Sequence, residues 1–487
     1  MNRMNRKISV GVLWNLANLV FSRGANTLFT LFLAKLLAPE AFGLIAMATV
    51  VFELANVFVQ SGLGQALIRE KSVSHEDLST VFCVNLGLSL VAYSVIYITA
   101  PLIANFYSQP ELTLIVRVIG LVIFINATKV VQLAVLNRAM NFHAQMKANT
   151  AAVLVSGGLA LTAAYQGLGV WSLVIMMLSQ ATISSIIIWL MSSWLPSINF
   201  NLNSFKRLFN FSKSLLAEAL LGVLYQNSYV LVIGRFFSIE VTGLYFFSKK
   251  MSNLISHQLT GAIQKATFPA LSTLQDDTNA LKTKYRQIMQ VTLFVIAPVM
   301  ALFAASSPAV FKLFFSDDWQ DAVPFIQLLC GVGILYPIHA LNMNLLIVSG
   351  RPDLVFKVGL LKKFINIILL IIAIPYGVLG IVISQLVGSA IALIPNTYFS
   401  FSLIKYSIFE QLKDFYKPVL GSCLAGVICA YLGGNEALSA SYSIMLSLIL
   451  GVGFYLLICV FFQVEGAKIL LISALKKWSW LAKRLNR

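Results

Sequence analysis

Long apolar runs separated by short polar turns fill almost the whole chain. They fall at about 8–35, 41–66, 78–105, 112–136, 147–165 and 169–192, then at about 212–235, 240–265, 287–314, 323–348, 355–375 and 378–403, with a last pair at about 415–432 and 441–463. Each is close to the roughly 20 apolar residues that a helix needs to cross the ~30 Å hydrocarbon core of a bilayer. The pattern therefore predicts an all-α polytopic membrane protein with about fourteen transmembrane helices.

Composition agrees: 59% of the 487 residues are hydrophobic and 11% are charged. A soluble globule, at roughly 25% charged residues, is excluded, and little chain is left for a water-soluble catalytic domain. Cys83, Cys330, Cys423, Cys429 and Cys459 all sit in apolar stretches without metal-ligand spacing, which predicts packing roles. Ile8 to Leu37 is too long for a signal-peptide core, so no cleaved leader is expected.

The net charge of +17 would suggest a nucleic-acid partner in a soluble protein. Here the basic residues lie mostly between the apolar runs, where they orient a membrane protein. Arg3, Arg6, Lys7, Arg69, Lys71, Arg138, Lys147, Lys206, Arg207 and Lys213 fall on one side, as do Lys282, Lys284, Arg286, Arg351, Lys357, Lys405, Lys413, Lys417 and the tail from Lys476. Glu40, Glu111, Glu240, Asp317, Asp318, Asp321 and Glu436 fall on the other, with Lys35, Arg235 and Lys312 at helix ends. Both termini are thus expected in the cytoplasm. The opposite loops are all short, which leaves no catalytic loop for a membrane glycosyltransferase, ligase or polymerase.

Fragments recur about 200 residues apart. Glu40-Ala41-Phe42-Gly43-Leu44 returns as Glu240-Val241-Thr242-Gly243-Leu244, and Phe106-Tyr107-Ser108 as Phe314-Phe315-Ser316. In order, they predict two pseudo-symmetric six-helix lobes of the same orientation, at 1–195 and 212–405, as in alternating-access transporters whose path lies between the lobes. Residues 196–211 are expected to form an interfacial cytoplasmic linker, through Phe200, Leu202, Phe205, Leu208 and Phe209 beside Lys206 and Arg207. Residues 406–487 hold two extra helices and a basic tail.

Charge at bilayer depth costs at least about 2.5–3.5 kcal/mol on insertion scales, so each such residue needs a partner or a task. The first helix carries a polar stripe of Asn15, Asn18, Ser22, Arg23 and Asn26, and the second carries Glu53, Asn56 and Gln60. Arg23 and Glu53 lie at similar depth, and a structural ion pair between them explains both without a substrate. Arg117, Asn126 and Lys129 follow in the fourth run, Glu218 with Tyr225 and Tyr229 in the seventh, Lys249, Lys250 and His257 in the eighth, and His339 in the tenth. Lys362 and Lys363 are placed to snorkel. The cations outnumber Glu53 and Glu218, and a cationic cavity is complementary to a phosphate, diphosphate or acidic sugar. Arg23, Lys249, Lys250, Lys129, Arg117, Asn26 and Asn56 are the candidate substrate-binding residues. Glu53, Glu218, His257 and His339 are the candidates for ion coupling, with hydrogen-bonded helix packing as the alternative for the histidines. No catalytic residue, metal ligand or cofactor is expected.

Several fragments resemble a known family: Leu37-Ala38-Pro39-Glu40-Ala41-Phe42-Gly43, Gly62-Leu63-Gly64-Gln65-Ala66-Leu67-Ile68, Ala100-Pro101-Leu102-Ile103-Ala104-Asn105-Phe106-Tyr107 and Phe268-Pro269-Ala270-Leu271-Ser272. With Ser79-Thr80-Val81-Phe82, they are similar to the Wzx-type polysaccharide flippases. These belong to the multidrug/oligosaccharidyl-lipid/polysaccharide exporter superfamily, and the likeness is to the colanic-acid and teichuronic-acid exporter branch. The resemblance implies transfer of an undecaprenyl-diphosphate-linked oligosaccharide from the inner to the outer leaflet of the bacterial cytoplasmic membrane, with no bond made or broken. It implies lipid-linked oligosaccharide and membrane lipids as partners, and a polysaccharide polymerase or assembly proteins beside them. A cavity arginine in the first helix of related lipid flippases corresponds to Arg23 by helix and depth. A cation-coupled multidrug exporter of the same fold is the rival, and it would need an acidic cavity.

Overall fold

The computed structural model describes residues 19–472, apart from 61, 198 and 434–439, together with residue 475. All regular elements among them are helices, as expected where lipid offers the backbone no hydrogen-bond partner. Eleven helical stretches among the described residues are long and apolar enough to cross a membrane. The expected spans at 355–375 and 378–403 fall in one such stretch, Pro352–Ile404. The expected span at 240–265 lies on a helix that carries Glu240, Lys249, Lys250 and Lys265 and is not among the eleven. The first expected run begins on residues 8–18, outside the described residues.

The chain divides into two compact units, Met1–Phe246 and Phe247–Arg487. In the first, a π-helical turn at Leu19–Arg23 leads into α1 (Gly24–Leu36), followed by α2 (Pro39–Gln60), the short α3 (Leu63–Arg69), α4 (His75–Tyr107), α5 (Leu112–Arg138), α6 (Phe142–Tyr165), α7 (Trp171–Met191) and α8 (Leu202–Phe236). Ser74 and Asp77 cap α4 reciprocally, side chain to backbone in both directions. Gly62 separates α2 from α3 at φ +69, a left-handed turn that glycine adopts without strain. Residues 202–211, expected to lie on the membrane surface, form the first turns of α8. Asn201 caps that helix through bonds from the Asn203 and Ser204 N–H groups, and neither proline nor glycine interrupts it before Gly222. Leu208 joins Leu63, Leu67, Val81, Val131 and Trp194 in a buried cluster at the basic end of the unit.

The two recurring glycine fragments meet each other. Gly43 stands in the first turns of α2 and Gly243 in those of α9 (Ile239–Ser272). A Cβ on Gly43 would land on the backbone oxygen of Ile239, and one on Gly243 would land on that of Pro39. Their absent side chains let two backbones cross in direct contact, as small residues do between membrane helices.

The second unit holds the rest of α9, then α10 (Thr278–Phe314), α11 (Ala322–Val348), α12 (Pro352–Ala373), α13 (Gly377–Ile391), α14 (Leu393–Ile404), α15 (Ile408–Gly433) and α16 (Ala440–Phe461). Leu281, Tyr285, Leu341, Leu345, Ile404 and Tyr406 share one buried cluster of that unit. The last helix pair packs on α10 through Leu302, Ala425, Cys429, Tyr455 and Cys459. At 37 residues, α10 is about 55 Å long at a rise of ~1.5 Å per residue, well beyond a ~30 Å core.

Gly243→Val should therefore force α2 and α9 apart, at a cost of about 1–3 kcal/mol for overpacking, and lower the unfolding temperature of the detergent-solubilised protein. Gly261→Val on the same helix, where a Cβ meets nothing within 4 Å, should leave it unchanged. Equal melting of the two variants contradicts the close crossing.

Candidate functional site

Three helices of the first unit each turn a face of mixed polar and apolar residues toward a common space. On α2 it is Asn56 and Gln60, one turn apart. On α5 it is Asn126, Lys129, Leu133 and Asn137, and on α8 it is Leu215, Glu218, Gly222 and Gln226. These spacings of three and four residues keep each set on a single helix face. Gly62, Gly64, Gln65 and Ile68, at and after the helix break, close one side. The cavity, open on one side, measures about 740 Å³. Gly222 leaves its part of the wall bare, since a Cβ there would meet nothing within 4 Å.

The hydrogen bonds of the wall are only partly used within the protein. Lys129 Nζ lies 3.4 Å from Ser184 Oγ on α7. The Asn137 side-chain oxygen accepts from Gln145 at 2.8 Å. The Asn56 oxygen is buried and has no hydrogen-bond partner. One turn before Asn56, Glu53 accepts a 2.6 Å bond from Asn227, which fastens α2 to α8 beside the cavity.

Lys129, Asn56 and Glu218 are thus the expected residues that the cavity brings together. Arg23 is exposed at the end of the π-helical turn, and its carbonyl oxygen accepts from Thr27. Asn26, half-buried on α1, gives its carbonyl oxygen to Thr30. Arg117 stacks 4.2 Å over the Tyr97 ring and donates to the Tyr97 carbonyl at 3.2 Å, which joins α5 to α4. In the second unit, Lys249 is half-buried and Lys250 is exposed. The His257 ring lies parallel to Tyr336 with centroids 3.7 Å apart. His339 is held between Ser389 at 3.0 Å and the Asn396 amide, which donates to its Nδ1 at 2.5 Å.

Gln65, Asn137 and Gln226 were not picked out by sequence as site residues. The face assigned to α8 ran through Glu218, Tyr225 and Tyr229, whereas the cavity lies along Glu218, Gly222 and Gln226. Tyr229 is buried in packing instead. Glu218, Gly222 and Gln226 follow a four-residue step, which drifts across the helix face instead of repeating on one line.

A second polar cluster, in the second unit, is closed. Asp414 accepts from Arg286 at 2.5 and 2.6 Å, from Gln290 at 2.9 Å and from the Tyr406 hydroxyl at 2.7 Å. Burial, together with the carboxylate that accepts its hydrogen bond, pushes the Tyr406 hydroxyl far above the ordinary tyrosine range. Above it, Asn342 accepts from Tyr285 at 2.9 Å and from Ser400, and donates to Gln411 at 3.4 Å. The cluster ties α10, α11, α14 and α15 together. No group of three or more His, Cys, Asp or Glu side chains is placed to hold a metal ion among the described residues.

Residues 32–324, which include every wall of the cavity, match the family described as Polysaccharide biosynthesis protein. The lipopolysaccharide biosynthesis protein WzxC of Escherichia coli (strain K12) is 24% identical over 425 residues, 86% of this chain and 83% of that protein. The teichuronic acid biosynthesis protein TuaB of Bacillus subtilis (strain 168) is 24% identical over 304 residues, 62% of this chain and 63% of its own. The solved structure of the lipid II flippase MurJ in an inward closed conformation superposes with a TM-score of 0.73 at 16% identity, over 93% of this chain and 99% of the other. The fold is shared at that level.

Arg286→Ala should strand the Asp414 carboxylate, which is 5% exposed. Removing one partner of a buried pair costs about 3–5 kcal/mol, and the low end applies because Arg286 is 41% exposed. The expected outcome is a clear fall in unfolding temperature, largely recovered by Asp414→Asn in the same chain. No change on Arg286→Ala would remove the clamp from the structure's supports.

Proposed function

The chain belongs to the polysaccharide biosynthesis protein family, and from that premise we propose that it is a flippase for undecaprenyl-diphosphate-linked oligosaccharide. The observation that carries the reading is a cavity of about 740 Å³ between bilayer-spanning helices, whose mixed lining includes Lys129, Glu218 and six carboxamides. A glycan headgroup cannot cross hydrocarbon without such a lining, because each unpaired polar group there costs several kcal/mol. The likeness to the lipopolysaccharide and teichuronic acid biosynthesis proteins, and the shared fold with the lipid II flippase, support the same reading.

The cavity lies in the halves of α2 and α5 nearer the basic end, where α3 ends at Arg69 and α5 at Arg138. By the positive-inside rule that end faces the cytoplasm, as do both termini. A headgroup enters from the cytoplasmic side while its polyprenyl tail stays in lipid. Alternating exposure then delivers the headgroup to the outer face, and no bond is made or broken. Lys129, in the cavity wall, draws in the anionic diphosphate, and Arg23 and Lys249, which do not line that cavity, are separate candidate cations for it. Glu218, in the cavity wall, and Glu53, beside it, are the carboxylates for ion coupling.

Deletion of the gene should abolish surface polysaccharide and leave lipid-linked oligosaccharide on the cytoplasmic face, as read by mass spectrometry of membrane lipids. Unchanged polysaccharide and lipids would end the flippase reading. In complementation, Lys129→Ala, Arg23→Ala and Lys249→Ala should each lower export at least about tenfold at normal expression, the loss of one charge-assisted hydrogen bond being about 1.5–3 kcal/mol. Full export by all three rules out a cationic contribution.

A further inference from the structure

The bilayer-spanning helix α10 carries two prolines, Pro298 and Pro308, and still runs as one helix of 37 residues. A proline has no N–H to give to the carbonyl four residues before it. Pro298 therefore frees the Phe294 carbonyl, and Pro308 frees that of Ala304. Both find other donors. The Tyr455 hydroxyl, from α16, donates to Phe294 O at 2.9 Å. Ala304 O accepts from Gln327 Nε2 on α11 at 3.4 Å and from Ser307 Oγ of its own helix at 2.7 Å. The same happens in α4, where Pro101 frees the Tyr97 carbonyl and Arg117 of α5 donates to it.

The prolines divide α10 into two arms with different attachments. The arm before Pro298 is fastened to the terminal helix pair at four-residue steps, the rows along which packed helices interlock. Lys282 bonds Glu410 at 2.9 Å, and Arg286 and Gln290 share Asp414. One step further, the Phe294 ring lies 5.6 Å from that of Tyr455. Beyond α16 the chain returns to the same row, where a Cβ on Gly466 would stand 2.5 Å from Gln290 O. The arm after Pro308 joins an aromatic cluster instead. There Phe311 and Phe315 stack on each other, and Phe247 and Trp319 pack against them. Two anchored arms meet across a stretch that lacks two backbone hydrogen bonds, and sharp bends in long helices form at such interruptions.

We propose that Pro298 is a hinge of α10 and that the terminal helix pair sets its bend, with the Tyr455 hydroxyl as the removable pin. Tyr455 is a positioning residue, buried among the residues that join α10 to the terminal pair, and it acts through the α10 backbone. Ordinary packing gives a different expectation. A tyrosine that only fills space is indifferent to the residue at 298, whereas a pin matters while the carbonyl at 294 lacks its backbone donor. The proposal concerns how the second unit bends, and it stands whatever the chain carries.

The test uses the full chain in lipid nanodiscs, with spin-labelled unnatural amino acids at positions 284 and 312, both exposed near the ends of α10. Along a straight helix these lie about 42 Å apart at ~1.5 Å per residue, and pulsed dipolar spectroscopy reads the distribution. Tyr455→Phe keeps the ring and removes the hydroxyl. It should raise the population of shorter distances about tenfold, the effect of stranding one buried carbonyl. Pro298→Ala restores an N–H at 298, and in that background Tyr455→Phe should lose most of its effect. Melting curves of the same four proteins provide a second double-mutant cycle. Tyr455→Phe should lower the unfolding temperature beside Pro298 and leave it nearly unchanged beside Ala at 298. Distances that Tyr455→Phe leaves as they were, or alters equally with proline and alanine at 298, overturn the hinge. Equal loss of unfolding temperature in both backgrounds overturns it as well, and reduces Tyr455 to packing.

Discussion

Hydrocarbon offers no hydrogen-bond partner, so a polar side chain within the helices is costly unless it finds one in the protein or faces a space where a ligand or water supplies it. The two units meet this constraint in different ways. In the second, Asp414 collects Arg286, Gln290 and Tyr406, and Asn342 collects Tyr285, Ser400 and Gln411, so polarity is spent on holding helices together. In the first, polar residues of α2, α5 and α8 converge on open space. Polar groups left unspent in a membrane protein mark where something hydrophilic goes.

The cavity wall depends on a backbone interruption that is itself held in place. Gly62 turns the chain through the left-handed region, and Leu215 on α8 lies 3.3 Å from where a Cβ would stand. The short α3 that follows ends on carbonyls with no intrahelical partner. Arg138, at the end of α5, supplies one, donating to Leu67 O at 2.6 Å and Glu70 O at 2.5 Å. Close by, Arg207 pairs with Asp77 at 2.6 Å and Asn201 donates to Glu76 at 3.0 Å, which binds the start of α8 to the start of α4. A seven-residue helix too short to persist alone is thereby fixed as a wall.

Much of this was legible in the sequence. The apolar runs located the helices, because length and hydropathy are local properties, and the turn at Pro39 was marked by its residue, whereas the break at Gly62 falls inside the run expected at 41–66. The polar positions at Asn56, Lys129 and Glu218 were legible as anomalies in apolar stretches. Their convergence was not, since it depends on how each helix is rotated about its axis, and one misplaced face moved α8's stripe from Gln226 to Tyr225. The assignments that went to other partners share a cause. Arg117 settles on the ring and carbonyl of Tyr97, and the carbonyl oxygens that Arg138 takes up belong to the main chain of α3. Backbone acceptors leave no trace in a residue pattern. His257 and His339 illustrate the same limit, because stacking on Tyr336 and bonding to Asn396 are tertiary facts.

The boundary between the units at Phe246 has a consequence for biogenesis. Every residue that lines the cavity, from Asn56 to Gln226, precedes it. The helices that build the cavity leave the ribosome and enter the bilayer before the second unit exists, and domains fold as units in the order of synthesis. The polar residues of α2 and α5 therefore wait in lipid only until α8 arrives, and the wall can be assembled while translation of the remaining chain continues.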